Sequence, residues 1–517
     1  DKEIFHICRK AEQLCRPNVS GRHKWSPKLV LAIKTLSYWR ARRKYGQNNA
    51  VVQHLGKEAK IEYEYQSNAE IISHIDNSRE NLTIIQQESI KHRQQHLQDL
   101  ADKYAKENNT SRSTAVIELM SQESAKSMFA LLREKLKKAS TRQLQKIWIS
   151  YDENGRYKKD PNNKVEINSS TKAHKLLLQR NQKHLGQAKN TPFASGEWKK
   201  KLKWDGTGNI GRDILSGDIL NQQKFNSTVQ LYFESLATTR FKGKLNAIKA
   251  KLSLEEYRKF WKKKREETVT SPFGLHVGHF KAAIQHDGIL NVHRLMLLIP
   301  FQTALVPYRW KKTVQTMLEK DPGQPWIHRL RIIELFDSQV NAGFQIFIGR
   351  KMVWEAVQRN QLHPASYGST PGKMAASAVL QKVLSVDQMR IERRAGGLFD
   401  CDATGCYDRI LPPLAVLHLQ ALGLSTSIAV MLARLMFVAK RHVKTQHGVS
   451  KDSIQTNNAN PLFGIGQGNG GGPAIWLSHL TVMFTALSAI CTGFKATCIK
   501  GIEWITTVGT GYVDDVT

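Results

Sequence analysis

Cysteine is scarce in this chain: six residues in 517, at positions 8, 15, 401, 406, 491 and 498. So few, so scattered, exclude a disulfide-framed secreted scaffold and make a reducing intracellular compartment, nuclear or cytoplasmic, the expectation. Cys8 and Cys15, with His6 and His23 nearby, lack the ligand spacing of a zinc finger. Acid is also in short supply, with 44 Asp and Glu against 77 Lys and Arg, a formal charge of +33. That imbalance points to a polyanionic partner, nucleic acid above all. Sustained heptads are missing from the polar helical stretches, which excludes a long coiled coil. Long uninterrupted apolar runs are missing too. Pro473 to Ile490 comes closest, but Ser478, His479 and Thr481 interrupt it, so a core helix is expected there and no membrane span. No signal-peptide pattern opens the chain, and a start at Asp1 reads as a fragment.

What is present begins with charge on helices. Ser26-Pro27 can open a helix whose apolar stripe is Leu29, Ile33 and Leu36, with Arg40, Arg42, Arg43 and Lys44 after it. Polar helices are expected over 56–106 and 113–138, either as a solvated linker or as an RNA-binding extension. Asp152-Glu153-Asn154-Gly155 and Asp160-Pro161-Asn162-Asn163 are turn chemistry, the second bounding a hairpin or loop. Trp198-Lys199-Lys200-Lys201-Leu202-Lys203-Trp204 interleaves cations with aromatics, which suits phosphate contact plus base stacking; the plainer alternative is a solvated face. Phe260-Trp261-Lys262-Lys263-Lys264-Arg265 offers the same choice.

The pattern sharpens after Thr270. Thr313 to Lys320, the turn Asp321-Pro322-Gly323-Gln324-Pro325 and His328 to Phe336 read as strand, turn, strand, with Lys320 and Arg331 flanking the turn. Helices are expected over 338–358 and 375–394. Gly397 to Ala403 is a short apolar run bounded by turn residues, as expected of a buried strand that delivers a carboxylate at its end. Pro412 and Pro413 suit the first turn of a helix that Gly423 stops. The glycine-rich stretch Gly464 to Gly472 lets backbone approach a ligand closely, and Pro473 starts a helix through Ile490. Its formal Gly-x-Gly-x-x-Gly string has no acid about twenty residues on, so no dinucleotide site is expected. Thr506 to Val513 reads as a strand leading into Asp514-Asp515. Adjacent carboxylates resist joint ionisation unless a cation lies between them, and they suit a tight turn because a strand would point them to opposite faces. With a further Asp from the 397–403 run they can form a two-Mg²⁺ site for phosphoryl transfer. No strand is left to return after Asp515, so no hairpin is expected there.

Tyr512-Val513-Asp514-Asp515, the Asp-x-x-x-x-Tyr spacing from Asp402 to Tyr407, and Gln467-Gly468 with Pro473 resemble three motifs of reverse transcriptases, in the right order. The likeness is to non-LTR (LINE-type) retrotransposon polymerases. Ser271-Pro272-Phe273-Gly274 resembles the loop that opens their fingers, Ser366 to Lys373 their template loop, and Trp25-Ser26-Pro27…Tyr38-Trp39-Arg40 a segment that follows their endonuclease domain. The resemblance covers 270–517 well and 25–45 loosely. It implies an α+β fold: right-hand fingers and palm, with an antiparallel sheet packed on helices, behind a mostly helical extension. The expected divisions are 1–150 helical basic extension, 151–265 basic linker, 266–395 fingers with part of the palm, and 396–517 palm, truncated just after the Tyr-Val-Asp-Asp motif and without its thumb.

The resemblance also implies an RNA-directed DNA polymerase that joins dNTPs to a primer 3′-hydroxyl on an RNA template. Asp402, Asp514 and Asp515 would be catalytic and hold two Mg²⁺ (or Mn²⁺) ions, with Asp515 supporting. Lys320 and Arg331 would meet the triphosphate, as a guanidinium forks onto phosphate oxygens. Tyr407 would pack under the sugar and exclude a 2′-hydroxyl, Gln467 and Gly468 would lie against nucleotide and template, and Asp408 would be an accessory. Partners are then template RNA, primer or target DNA, and dNTPs.

Three other readings remain. The carboxylates could belong to an inactive retroelement remnant that binds RNA without copying it. Asp400-Cys401-Asp402-Ala403-Thr404 resembles the nucleophile loop of haloacid-dehalogenase-type phosphatases, with Asp400 as nucleophile and Asp402 as general acid. His276-Val277-Gly278-His279 with Lys373-Met374-Ala375-Ala376-Ser377 resembles the class I aminoacyl-tRNA synthetase signatures. The synthetase loop requires a buried parallel strand before it, where this chain has Lys262-Lys263-Lys264-Arg265-Glu266-Glu267.

Overall fold

The computed structural model describes residues 2–14, 25–62, 65–107, 111–121, 144–222, 224–240, 247–403, 405–497, 503–512 and 515–516. Its architecture is α+β, with helix predominant and sheets of two to four short strands. There are two compact units: Cys15–Thr141, and a larger one made of Asp1–Leu14 with Arg142–Thr517.

Helix α1 (Lys2–Leu14) belongs to the larger unit. In the smaller unit, α2 (Pro27–Tyr45) starts as its sequence indicates, with Pro27 in the first turn and the Ser26 hydroxyl accepting from the Leu29 N–H at 3.2 Å. It is followed by α3 (Ala50–Ala59), α4 (Asn68–Gln87) and α5 (Ser89–Glu107). The continuous helix expected over 56–106 does not form. Lys60 turns out of it at φ 55° and Glu88 separates α4 from α5. Folding back brings Val52 and Ala59 onto Trp39, Ile71 and Ile75 in one apolar cluster, which a straight rod would leave in water. Of the helix expected over 113–138, residues 112–121 are helical and the rest lies outside the described residues.

In the larger unit, α1 is followed by a hairpin of β1 (Ile147–Ile149) and β2 (Val165–Ile167). The carboxylates of Asp152 and Asp160 accept from backbone N–H groups two residues on, both at 3.0 Å, as their turn sequences predict. Helices α6 (Ser170–Leu185), α7 (Gly196–Leu202), α8 (Ser227–Thr239), α9 (Leu254–Lys263) and α10 (Asp287–Thr303) follow. Strands β3 (Lys312–Glu319) and β4 (Leu330–Leu335) form the antiparallel hairpin that the turn residues predict. Then α11 (Ser338–Ile346) widens into a π-helical turn, Phe347–Met352, before continuing through Val353–Gln358. The wide turn puts Gly349 against the Gly470 carbonyl, 3.2 Å from where a Cβ would stand. After α12 (Ala375–Ile391) come β5 (Cys401–Asp402), α13 (Pro412–Ala421), α14 (Thr426–Val438), β6 (Lys440–Thr445) and β7 (Gly448–Val449). The chain ends with α15 (Gly472–Ile490), β8 (Phe494–Thr497), β9 (Glu503–Thr507), β10 (Gly511–Tyr512) and β11 (Asp515–Val516).

Two sheets frame the site. One has the order β4-β3-β6-β7, with β6 parallel to β3 and Thr313 opposite Arg441. A buried ion pair ties it together: Arg441 meets Glu334 at 3.3 Å, and the Thr313 hydroxyl donates to Glu334 at 2.7 Å. The other has the order β10-β11-β5 and is antiparallel throughout. The main core gathers Trp261, Trp310, Phe301 and Phe344 with α13 and α14, and the Trp261 ring stacks on Phe280 at 4.2 Å. Helix α15 is long and apolar enough to cross a bilayer, yet Ile475, Leu477 and Leu480 are buried among neighbouring elements, with α8 and α13 against it.

Candidate active site

The site starts from a register. Asp515 in β11 stands directly opposite Asp402 in β5, and Val516 opposite Cys401. On its other edge β11 pairs with β10, Tyr512 opposite Asp515. Two expectations are thereby corrected. A returning strand does exist, because two residues are enough to pair on both sides. The strand expected over Thr506 to Val513 is split between β9, which pairs with β8, and β10. The break falls at Val508-Gly509-Thr510, where the chain changes sheets. Val513 and Asp514, which join β10 to β11, lie outside the described residues.

The buried strand expected over Gly397 to Ala403 is also corrected. Only Cys401 and Asp402 are paired, and Gly397 to Asp402 are exposed, Phe399 at 84%. An apolar run makes burial favourable, but burial needs a covering layer, and none of the described elements supplies one. Asp400 pairs with Lys382 of α12 at 2.5 Å. It stands on an exposed segment leading into an antiparallel strand.

Gly511 anchors the hairpin. Its N–H donates to Ala365 and its carbonyl accepts from Tyr367, both at 2.8 Å, so the Ser366–Lys373 loop and the paired acids share a backbone ladder. A Cβ at Gly511 would stand 2.8 Å from the Phe484 ring of α15, so only glycine lets the strand lie this close.

The glycine-rich loop joins the remaining motifs. The Ile465 N–H donates to the Tyr407 carbonyl at 3.0 Å, and the Glu334 N–H donates to the Gln467 carbonyl at 2.7 Å. Gly468 has φ +122°, and a Cβ there would meet the Glu334 carbonyl oxygen at 2.4 Å. The Tyr407 ring lies along Gly472, 3.6 Å from a Cβ placed there. Tyr407, Gln467 and Gly468 are therefore fixed to β4 and to the start of α15. Lys320 and Arg331 are exposed on the same hairpin as Glu334, near its turn end, where Leu318 pairs with Arg331. Backbone hydrogen bonds thus hold the motifs together, and the two cations ride on the hairpin those bonds fix.

Some contacts had no sequence signal. The Asp408 carboxylate meets the His184 ring at 2.9 Å, across 224 residues. Arg180, one turn earlier on α6, donates to the Leu330 carbonyl at 2.6 Å; burial lowers its guanidinium to about 10, against the pull of Asp408, and it stays charged at neutral pH. The Asn341 amide donates to the Gly468 carbonyl at 3.3 Å. The Ser271–His279 segment follows α9 and a loop, with no strand between that helix and the segment. There, Asp337 accepts from the Leu275 N–H at 3.1 Å and pairs with Arg309 at 3.1 Å.

Among the described residues, no group of three His, Cys, Asp or Glu side chains is placed to hold a metal ion. Asp402 and the position of Asp515 are brought together, and both are hard oxygen donors of the kind Mg²⁺ takes. No protein-family model matches the chain, and no curated protein matches it either.

Proposed function

We propose that the chain is the fingers and palm of an RNA-directed DNA polymerase of the LINE type. One observation carries the reading: the register that sets Asp515 opposite Asp402. Like charges directly opposed on neighbouring strands destabilise a sheet, so this placement makes sense where cations are to be bound. Asp402, Asp514 and Asp515 would hold two Mg²⁺ ions, which supply charge neutralisation at the attacking and leaving oxygens. The chain's own residues do the rest. Lys320 and Arg331 bind the triphosphate, Tyr407 sets the sugar's position, and the loop at Gln467-Gly468 orients the base pair. A primer 3′-hydroxyl then attacks the α-phosphate in line and pyrophosphate leaves.

Primer extension on an RNA template with Mg²⁺ and dNTPs tests this. Incorporation that Asp402→Asn or Asp514→Asn abolishes, with RNA binding kept, is the expected outcome. Incorporation retained in either variant overturns the assignment. RNA bound by the unmodified chain without any incorporation favours the remnant that binds and does not copy.

A further inference from the structure

Beside this site the larger unit holds a cavity of about 660 Å³ whose rim is cationic and whose wall is aromatic. Its walls are continuous with the site in sequence. Leu411, Pro412 and Pro413 follow Tyr407 closely, and Pro461, Leu462 and Phe463 lead directly into the glycine-rich loop. Backbone bonds hold both walls: the Phe463 N–H donates to Leu185 and the Gly464 N–H to Ile410, each at 2.8 Å.

The two tryptophans of the Trp198–Trp204 stretch have different surroundings. Trp198 packs among Phe193, Phe225 and Phe233 and is partly buried against an apolar cluster. Trp204 is 40% exposed and stacks on Phe437 of α14, with ring centroids 4.3 Å apart and planes 26° from parallel. Its place is fixed from both sides. Lys203 holds φ +58° and ψ 166°, a conformation that non-glycine residues rarely take and that concentrates at ligand clamps. Asp205, only 4% exposed, pairs with Arg434 at 3.6 Å and accepts from the Thr207 hydroxyl at 2.7 Å. Lys189, Lys199, Lys200 and Lys203 line the cavity together with Trp204, and among the described residues no Asp or Glu does. Asn190, Asn457 and Asn458 add amide donors and acceptors.

We infer that this cavity receives an unpaired base of single-stranded RNA, stacked on the Trp204–Phe437 pair, with the lysines on the flanking phosphates. An aromatic ring accepts any base on its face, and lysines without competing acid select a polyanion over a neutral apolar guest. A duplex keeps its bases inside and cannot fill the cavity, so the preference is for a single strand. The inference rests on RNA being the chain's polyanion, as proposed above, and does not require that the RNA be copied.

The test is binding, with no extension step, so failure of the polymerase reading leaves it intact. A single-stranded RNA 20-mer carrying 4-thiouridine is cross-linked to the chain and the modified peptide is mapped. The cross-link is expected on the segments around Trp204, Phe437 or 457–463. Trp204→Ala is expected to weaken single-strand binding about tenfold while leaving affinity for a blunt RNA duplex unchanged. Lys199→Ala with Lys200→Ala is expected to reduce the slope of log affinity against log salt by about 1.4, roughly 0.7 for each lost phosphate contact. If Trp204→Ala melts early, Trp204→Phe, which keeps a stacking face, must bind like the parent. Unchanged single-strand affinity in a folded Trp204→Ala variant overturns the inference. So do an equal loss on duplex, a cross-link elsewhere, or full competition by free mononucleotide.

Discussion

Tyr407 shows how single residues are set in this protein. Its carbonyl is taken by Ile465 and its ring lies along Gly472, so the side chain has a fixed direction. If that ring discriminates by sugar, Tyr407→Ala should raise ribonucleotide use, measured as kcat/KM for rNTP relative to dNTP, by about tenfold or more, the scale of a lost steric contact. An unchanged ratio would remove Tyr407 from the sugar site. Asp402, Tyr407, Gln467 and Asp515 were legible in the sequence because their signals are local spacings. His184 and Asn341 were not, since their partners Asp408 and Gly468 stand 224 and 127 residues away and nothing in a short window marks them. Asp408 stands inside a local motif, but the histidine that engages it does not.

Among elements, the glycine-rich loop is the most constrained. Gly468 lies at positive φ with its Cα facing the Glu334 carbonyl, so Gly468→Ala adds a backbone penalty and a clash that no side-chain movement relieves. A loss of about 2–4 kcal/mol is expected, read as a lower urea midpoint at unchanged slope. The sequence showed the loop and its helix because glycine and proline punctuate strongly. It showed the β3–β4 hairpin for the same reason. It misjudged the run at 397–403, because apolar composition says only that burial is favourable, and the covering layer is a tertiary matter. The neighbouring α12 makes the same point, with Val379, Leu380, Val383 and Leu384 all exposed. Strand pairing at β10, β11 and β5 involves two residues in each strand, below what periodicity can detect.

For the molecule as a whole, buried histidines set the response to acid. Burial, reinforced by Arg309 and His279, lowers His293 to about 4; burial lowers His479 to about 4, and burial with His479 beside it pushes His418 well below its ordinary value. Each takes up protons more readily when unfolded, near 6.5, than when folded. Stability is therefore full above about 6.5 and declines as pH falls toward 4, where the unfolded chain binds the extra protons. The melting temperature should fall across that window, and His479→Asn should flatten part of the slope. A melting temperature independent of pH from about 7 to 4.5 would contradict these environments.

The parallel pairing of β3 with β6 has a consequence for how the molecule comes to be. Lys312 to Thr316 meet Lys440 to Lys444, so this half of the sheet cannot form until α11 through α14 have been synthesised and folded out of the way. Pairings so distant along the chain are slow to close. In the interval β3 and β4 can join locally, but the outer edge of β3 stays open to any other extended segment, including the same edge on a second nascent chain. Yield on refolding should accordingly fall with protein concentration, and a chaperone that shields strand edges should restore it.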